Sequence, residues 1–183
     1  MQINTTVITR GTVAPGVVLP QLSHGNQVAQ VVIGNEVLPD IDGVWTESSS
    51  LILGVTTADC APICFSDGSR VGIAHVGWRG LAAGMIPNML KQFSVDQLQV
   101  YVGPHLHQFE VRRDHCYDAL MDACGNDFFM EQDGQITFDF TQALLSGLSG
   151  TVEVDPRNTA TDLTLPSYRH GRNDERILTT VRL

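Results

Sequence analysis

Basic residues are few in this chain: 11 lysines and arginines stand against 20 aspartates and glutamates, a formal net charge of −9 over 183 residues. No basic stripe or run of like charge offsets that balance, which argues against DNA, RNA or an anionic membrane surface as a partner. Long hydrophobic runs are also missing. No stretch approaches the roughly 20 apolar residues that cross a bilayer, and Met1-Gln2-Ile3-Asn4-Thr5-Thr6 has neither the charged nor the apolar part of a secretion signal. A cytoplasmic protein is expected. Four cysteines (Cys60, Cys64, Cys116, Cys124) are too few and too unevenly spaced for a disulfide framework, so reduced thiols are expected.

What is present suits one globular domain over residues 1–183, since 43% of residues are hydrophobic and 17% charged. Strands are predicted at 28–33, 51–55, 62–65, 71–76, 99–102 and 176–181, several of them apolar on both faces and therefore buried. Leu81, Met85, Ile86, Met89, Leu90 and Phe93 recur at helical spacing, with Pro87 expected to interrupt the helix. A second helix is expected over 114–123, and Asp139 with Gln142 reads as a capping box opening a third through Leu148. The order of elements is irregular, which favours α+β with a mixed sheet over a doubly wound fold.

Three residues carry the chemical interest: His24 in Ser23-His24-Gly25-Asn26, Cys60 in Thr57-Ala58-Asp59-Cys60-Ala61-Pro62, and His75 in Ala74-His75-Val76-Gly77-Trp78-Arg79-Gly80. Each has an ordinary reading, as a turn histidine, a small core thiol and a strand-end histidine. Together, two imidazoles and one thiolate could close around one metal ion. Zinc accepts nitrogen and thiolate sulfur readily, and three protein ligands leave the fourth position open, as in catalytic zinc sites.

The segments Leu22-Ser23-His24-Gly25, Thr57-Ala58-Asp59-Cys60-Ala61-Pro62-Ile63 and Ala74-His75-Val76-Gly77-Trp78-Arg79-Gly80 resemble, in order and spacing, those of the YfiH-type laccase-domain family. Val102-Gly103-Pro104 with Phe109-Glu110-Val111, and Ser167-Tyr168-Arg169 with Arg176, extend the resemblance over roughly residues 20–183. The resemblance implies an α/β/β/α four-layer sandwich like the catalytic domain of cytotoxic necrotizing factor. It also implies a zinc site at His24, Cys60 and His75, phosphorolysis of adenosine, inosine, guanosine and methylthioadenosine, and adenosine deamination. Purine nucleosides and phosphate would be the small-molecule partners of a monomer or homodimer.

Phosphorolysis needs phosphate held against the ribose, and the planar fork of arginine suits that task. Arg79 and Arg169 are the candidates, with Arg176 behind them; local bracing is the alternative for each. Asp59 is a candidate catalytic residue, through polarising the substrate or holding a zinc ligand in position, with a supporting structural role preferred. Trp78 could stack on a purine or pack under its loop. The family's laccase name suggests copper, which histidine–cysteine sites can also hold. A multicopper oxidase needs more histidines than the six here, so copper is the weaker alternative.

His105 and His107 alternate as a strand pair would, and pocket lining is the reading preferred over a second metal pair. His115-Cys116 is expected to pack or face solvent, and Cys64 could share a face with Cys60. The chain departs from the family pattern in four places: about twenty residues precede the first histidine where typical members have more, Leu22 stands where glutamine is usual, Asn158 precedes Thr159 where cysteine is usual, and His170 follows Arg169. A Cys60–His75 hydrolase or amidase acting on cell-wall precursors, and a non-enzymatic metal-binding relative, are the competing readings.

Overall fold

The structure, a computed structural model, describes residues 1–12 and 14–183. In chain order the first strands are β1 (Gln2–Thr9), β2 (Val17–Val18), β3 (Val28–Gln30), β4 (Gly43–Thr46), β5 (Ile52–Thr57), β6 (Ala61–Ser66) and β7 (Val71–Val76). Helices α1 (Trp78–Ala82) and α2 (Met85–Leu90) follow, then β8 (Gln99–Val102), β9 (Gln108–Val111) and α3 (His115–Cys124). The chain ends with β10 (Phe129–Gln132), β11 (Gln135–Asp139), α4 (Phe140–Gly147), β12 (Thr151–Val154) and β13 (Glu175–Arg182).

The strands form three sheets, ordered β12-β8-β6-β7-β4-β3, β1-β13-β5-β2 and β10-β11-β9. Parallel pairs (β12 with β8, β3 with β4, β2 with β5) sit among antiparallel ones, so the sheets are mixed and the fold is α+β. Every residue of β6 and β7 is buried, because the six-stranded sheet is covered on both faces. Their side chains alternate between two cores, as the strand period of two requires. Ala61, Ile63, Phe65, Ala74 and Val76 join the core beneath the helices and the three-stranded sheet. Cys64, Val71 and Ile73 join Val44, Leu53 and Val55 between the two larger sheets.

All four helices pack on the first of these cores, through residues such as Leu81, Met85, Leu120 and Leu144. Among the described residues no helix covers the outward face of the four-stranded sheet, so the expected outer helical layer is not found. That face of β1 carries exposed Gln2, Asn4 and Thr6, which need no cover.

Several element boundaries differ from the sequence reading for local reasons. The strand at Val28 ends at Gln30, because the Glu36 carboxylate accepts the N–H groups of Val32, Ile33 and Gly34 at 2.7–2.8 Å and folds that stretch into a turn. The helical run after Trp78 breaks at Gly84, which takes a left-handed conformation (φ 86°). Pro87 instead falls in the first turn of α2, where its missing N–H costs no hydrogen bond. Asp114 and Asp139 cap α3 and α4, Asp114 accepting the Cys116 and Tyr117 N–H groups and Asp139 that of Gln142. Among the described residues no helix is long and apolar enough to cross a membrane.

Candidate metal centre

Strand register builds this site. In the β4–β7 pair Gly43 lies opposite Ala74, so the preceding residue, Asp42, lies opposite His75, and the His75 N–H donates to the Asp42 carbonyl at 2.7 Å. In the β6–β7 pair Ala61 lies opposite Val76, which brings Cys60 across from Gly77. A Cβ on Gly77 would stand 2.8 Å from the Cys60 sulfur, so the absence of a side chain there makes room for the thiol.

His24 arrives from a loop on the same side. Its backbone is left-handed (φ 63°), a conformation uncommon outside glycine and asparagine. Asp42 fixes that loop. One carboxylate oxygen accepts from Ser23 N–H at 3.0 Å, the Ser23 hydroxyl at 2.9 Å and Gly25 N–H at 2.8 Å. The other accepts from His24 N–H and faces His75 Nδ1, both at 2.9 Å.

The three sequence-nominated side chains therefore meet: donor atoms of His24, Cys60 and His75 all lie within 4.8 Å of one another. The two imidazoles cross edge to face with centroids 4.7 Å apart. With His75 Nδ1 turned to Asp42, its Nε2 is the nitrogen left for a ligand, the arrangement in which a carboxylate orients a metal-binding histidine. Tetrahedral zinc with ordinary bond lengths would set donor atoms roughly 3.3–3.7 Å apart. Small side-chain movements close the difference, so the residues fit a metal ion.

The electrostatics favour the thiolate. Burial opposes ionisation of Cys60, yet hydrogen bonds and charge from His24 and His75 outweigh it and lower the thiol's pKa. Burial likewise opposes a charge on His75, but Asp42 and Cys60 raise its pKa above the ordinary imidazole value. Asp42, fully buried, stays below the usual carboxylate range: burial acts against its charge, but His75, Gly25 and Ser23 overcome that. Sequence reasoning missed Asp42. Its only signal was an aspartate before a strand, Asp42-Gly43-Val44, which reads equally well as a turn.

The other nominated residues surround this cluster or stand apart from it. The Arg79 guanidinium lies 4.6 Å over the Trp78 ring, and Arg169 lies 4.4 Å over Phe109. Among the described residues neither is in an ion pair, although the chain is rich in carboxylates. Burial and Asp114 push the Cys116 thiol up to about 11, against the opposing charges of Arg169 and Arg79. Trp78 has His115 against its edge and Arg79 over its ring. Arg176 braces local backbone, donating to the Asn173 and Glu175 carbonyls.

Asp59 is buried with a left-handed backbone (φ 88°), and its carboxylate is occupied. It accepts from the Thr159 hydroxyl at 2.7 Å, the Ser167 hydroxyl at 2.6 Å and Arg169 N–H at 2.7 Å. His105 has both nitrogens engaged, with the Gly103 carbonyl and the Thr141 hydroxyl, which leaves none for a metal. His107 packs beside it at 4.9 Å. Cys64 lies in the core between the large sheets, its thiol pushed far up by burial.

A mixed α+β protein with a His-Cys-His cluster that can hold a metal ion is the class these features define. The family described as multi-copper polyphenol oxidoreductase laccase matches residues 3–181, and the chain belongs to that family, of YfiH type. It is 29% identical over 174 residues to a purine nucleoside phosphorylase of Aquifex aeolicus, covering 89% of this chain and 81% of the relative. It is 30% identical over 164 residues to another of that name from Rickettsia conorii, covering 81% and 68%. A crystal structure of a Neisseria meningitidis protein superposes with a TM-score of 0.81 at 26% identity, covering 91% of this chain and 74% of that one. Bacillus licheniformis YfiH shares the fold, with a TM-score of 0.78 at 23% identity over 92% and 74%. Relatives bearing the phosphorylase name support an enzymatic role at the level of the family.

Proposed function

We propose that this protein is a zinc-dependent purine nucleoside phosphorylase, acting on adenosine, inosine, guanosine or methylthioadenosine, with adenosine deamination as a second activity. The observation that carries the reading is the convergence of His24, Cys60 and His75, with Arg79 close behind His75 in the chain and the Arg169 N–H bonded to Asp59, the neighbour of Cys60; among the described residues neither arginine is in an ion pair. When bound, zinc supplies Lewis-acid polarisation at its fourth position. Zinc is preferred because catalytic zinc sites use three nitrogen, sulfur or oxygen ligands and leave the fourth position open, with a carboxylate orienting a histidine, although two histidines and one cysteine also suit copper.

The chain's own residues divide the remaining work. Asp42 keeps the proton of His75 on Nδ1 and so presents Nε2 to the cluster. Arg79 and Arg169, each resting over an aromatic ring, offer paired N–H donors to phosphate with part of their position fixed beforehand. Trp78 carries Arg79 on its ring, which supports a role in positioning that arginine.

The test is incubation of zinc-loaded protein with adenosine, with and without phosphate, followed by separation of adenine, inosine and hypoxanthine. Adenine and ribose 1-phosphate appearing only with phosphate is the expected result; no product under either condition overturns the reading. A Cys60–His75 hydrolase is the second reading, favoured by the lowered thiol pKa. It predicts turnover that survives chelation and a covalent intermediate on Cys60.

A further inference from the structure

Ser167–Arg172 forms a small closed loop: Ser167 and Arg172 exchange both backbone hydrogen bonds, at 3.1 and 2.9 Å, and Gly171 turns with φ 74°. The Asp59 carboxylate is its main anchor, accepting from the Ser167 hydroxyl and the Arg169 N–H of the loop itself. The Ser167 hydroxyl oxygen also accepts His170 N–H at 3.3 Å. At the loop's far end Arg172 donates to carbonyls outside it, that of Leu165 at 2.9 Å and that of Thr159. Thr159 in turn donates its hydroxyl to Asp59. Asp59, Thr159 and Ser167 are all buried.

Two costs meet at this one residue. Among the described residues Asp59 is in no ion pair and has only the charge of Arg176 acting on it from a distance, so its buried carboxylate is expensive to hold, and a left-handed aspartate backbone adds strain. Both are placed next to Cys60, and what they fix is the backbone from which Arg169 reaches over Phe109. Closing a surface loop alone does not need either, since neutral side chains can accept the same donors.

We infer that Asp59 is a positioning residue for oxyanion binding: it fixes the Ser167–Arg172 loop so that Arg169, together with Arg79, meets a tetrahedral oxyanion beside the cysteine–histidine cluster. The ligand is free phosphate or the phosphoryl group of a sugar phosphate. The inference deepens the phosphorylase reading and rests on it for the meaning of the site, but binding can be read without turnover.

Asp59→Asn is the informative change, because asparagine tolerates the left-handed backbone while its amide loses the charge and turns one acceptor into a donor. Calorimetric titration of the zinc-loaded protein with inorganic phosphate and, separately, with ribose 1-phosphate gives the affinities. Loss of a hydrogen bond to a charged group predicts weakening by about tenfold or more in Asp59→Asn and in Arg169→Ala. The double variant is expected to bind no more weakly than Arg169→Ala alone, because Asp59 acts through that arginine. Zinc content stays at the wild-type level. A loss confined to one of the two anions identifies that one as the occupant. Ser167→Ala, which removes a single anchor, gives a smaller loss in the same direction and serves if Asp59→Asn does not fold. Wild-type protein that binds neither anion, anchor variants with undiminished affinity, or losses that multiply in the double variant overturn the inference. Oxyanion binding that behaves as expected in a protein with no phosphorolysis would instead sink the phosphorylase reading and leave this one standing.

Discussion

The carboxylate oxygen of Asp42 that faces His75 Nδ1 at 2.9 Å also accepts the His24 peptide N–H at 2.9 Å, so one buried acid holds two histidines from separate segments. Metal affinity should therefore depend on a residue that touches no metal. Asp42→Asn keeps the size of the side chain but cannot accept all five hydrogen bonds, and affinity for zinc is expected to fall about 10–100-fold. Competition against a chromophoric chelator measures it. An unchanged affinity would show that His24 and His75 hold their places unaided.

Gly77 gives a steric test of the same centre. Its φ of −99° is open to any residue, so Gly77→Ala meets no backbone strain. The new methyl would lie 2.8 Å from the Cys60 sulfur, and that contact is its main collision. Overpacking of this kind costs about 1–3 kcal/mol, and moving the thiolate should weaken zinc binding by roughly the corresponding factor of 10 to 100. Zinc affinity equal to wild type, in a variant with normal stability, would mean that Cys60 does not sit where the register puts it.

How much of this was legible beforehand follows from what each residue needed. Cys60 and His75 stand in unbroken motifs at the ends of apolar strands, and local sequence was enough to nominate them. Asp42 was invisible because its role depends on register: it works only by lying opposite His75 across β4 and β7, a relationship 33 residues apart in the chain. Asp59 was seen, with a supporting structural role preferred, but what it supports was not legible, since its partners Thr159 and Ser167 lie about a hundred residues away. In the fold, the fully buried strands β6 and β7 announced themselves as apolar runs. The β1 strand, alternating polar and apolar at an edge, did not. The helix break shows the same limit: Pro87 looked like the breaker, yet Gly84 was the residue able to turn left-handed.

Cys60 should also report the metal by its reactivity. Hydrogen bonds from the two histidines outweigh burial and favour the thiolate, which is the nucleophilic form. Metal-free protein treated with iodoacetamide near neutral pH is expected to alkylate at Cys60, while Cys64, fully buried with its thiol shifted upward, stays unmodified. Zinc saturation should slow Cys60 modification by at least about tenfold, because a coordinated thiolate is no longer free to attack. Zinc at about a hundred times its dissociation constant should add about 2.7 kcal/mol of stability, seen as a rise in Tm that a chelator reverses. Equal alkylation rates with and without zinc would remove Cys60 from the metal centre.

Away from the centre, Asp155 sets part of the acid sensitivity of the fold. Its carboxylate takes the Arg157 guanidinium at 2.7 and 2.9 Å and the Tyr101 hydroxyl at 2.8 Å, tying β12 to β8 where the two run parallel. Burial works against its charge, but Arg157 and Tyr101 prevail and hold its pKa down to about 2. A carboxylate whose folded pKa lies below its unfolded value stabilises the protein above the unfolded pKa, and that contribution disappears as pH falls through the folded one. The window runs from roughly pH 4 down to pH 2. Because the Arg157 side chain is 43% exposed, solvent screening limits the contribution to about 1–2 kcal/mol near neutral pH. Urea unfolding of wild type and Asp155→Asn should differ by that amount at pH 6 and converge as the pH approaches 2. Curves that stay parallel across the window would mean that the charge on Asp155 adds nothing, and that hydrogen-bond geometry alone joins the two strands.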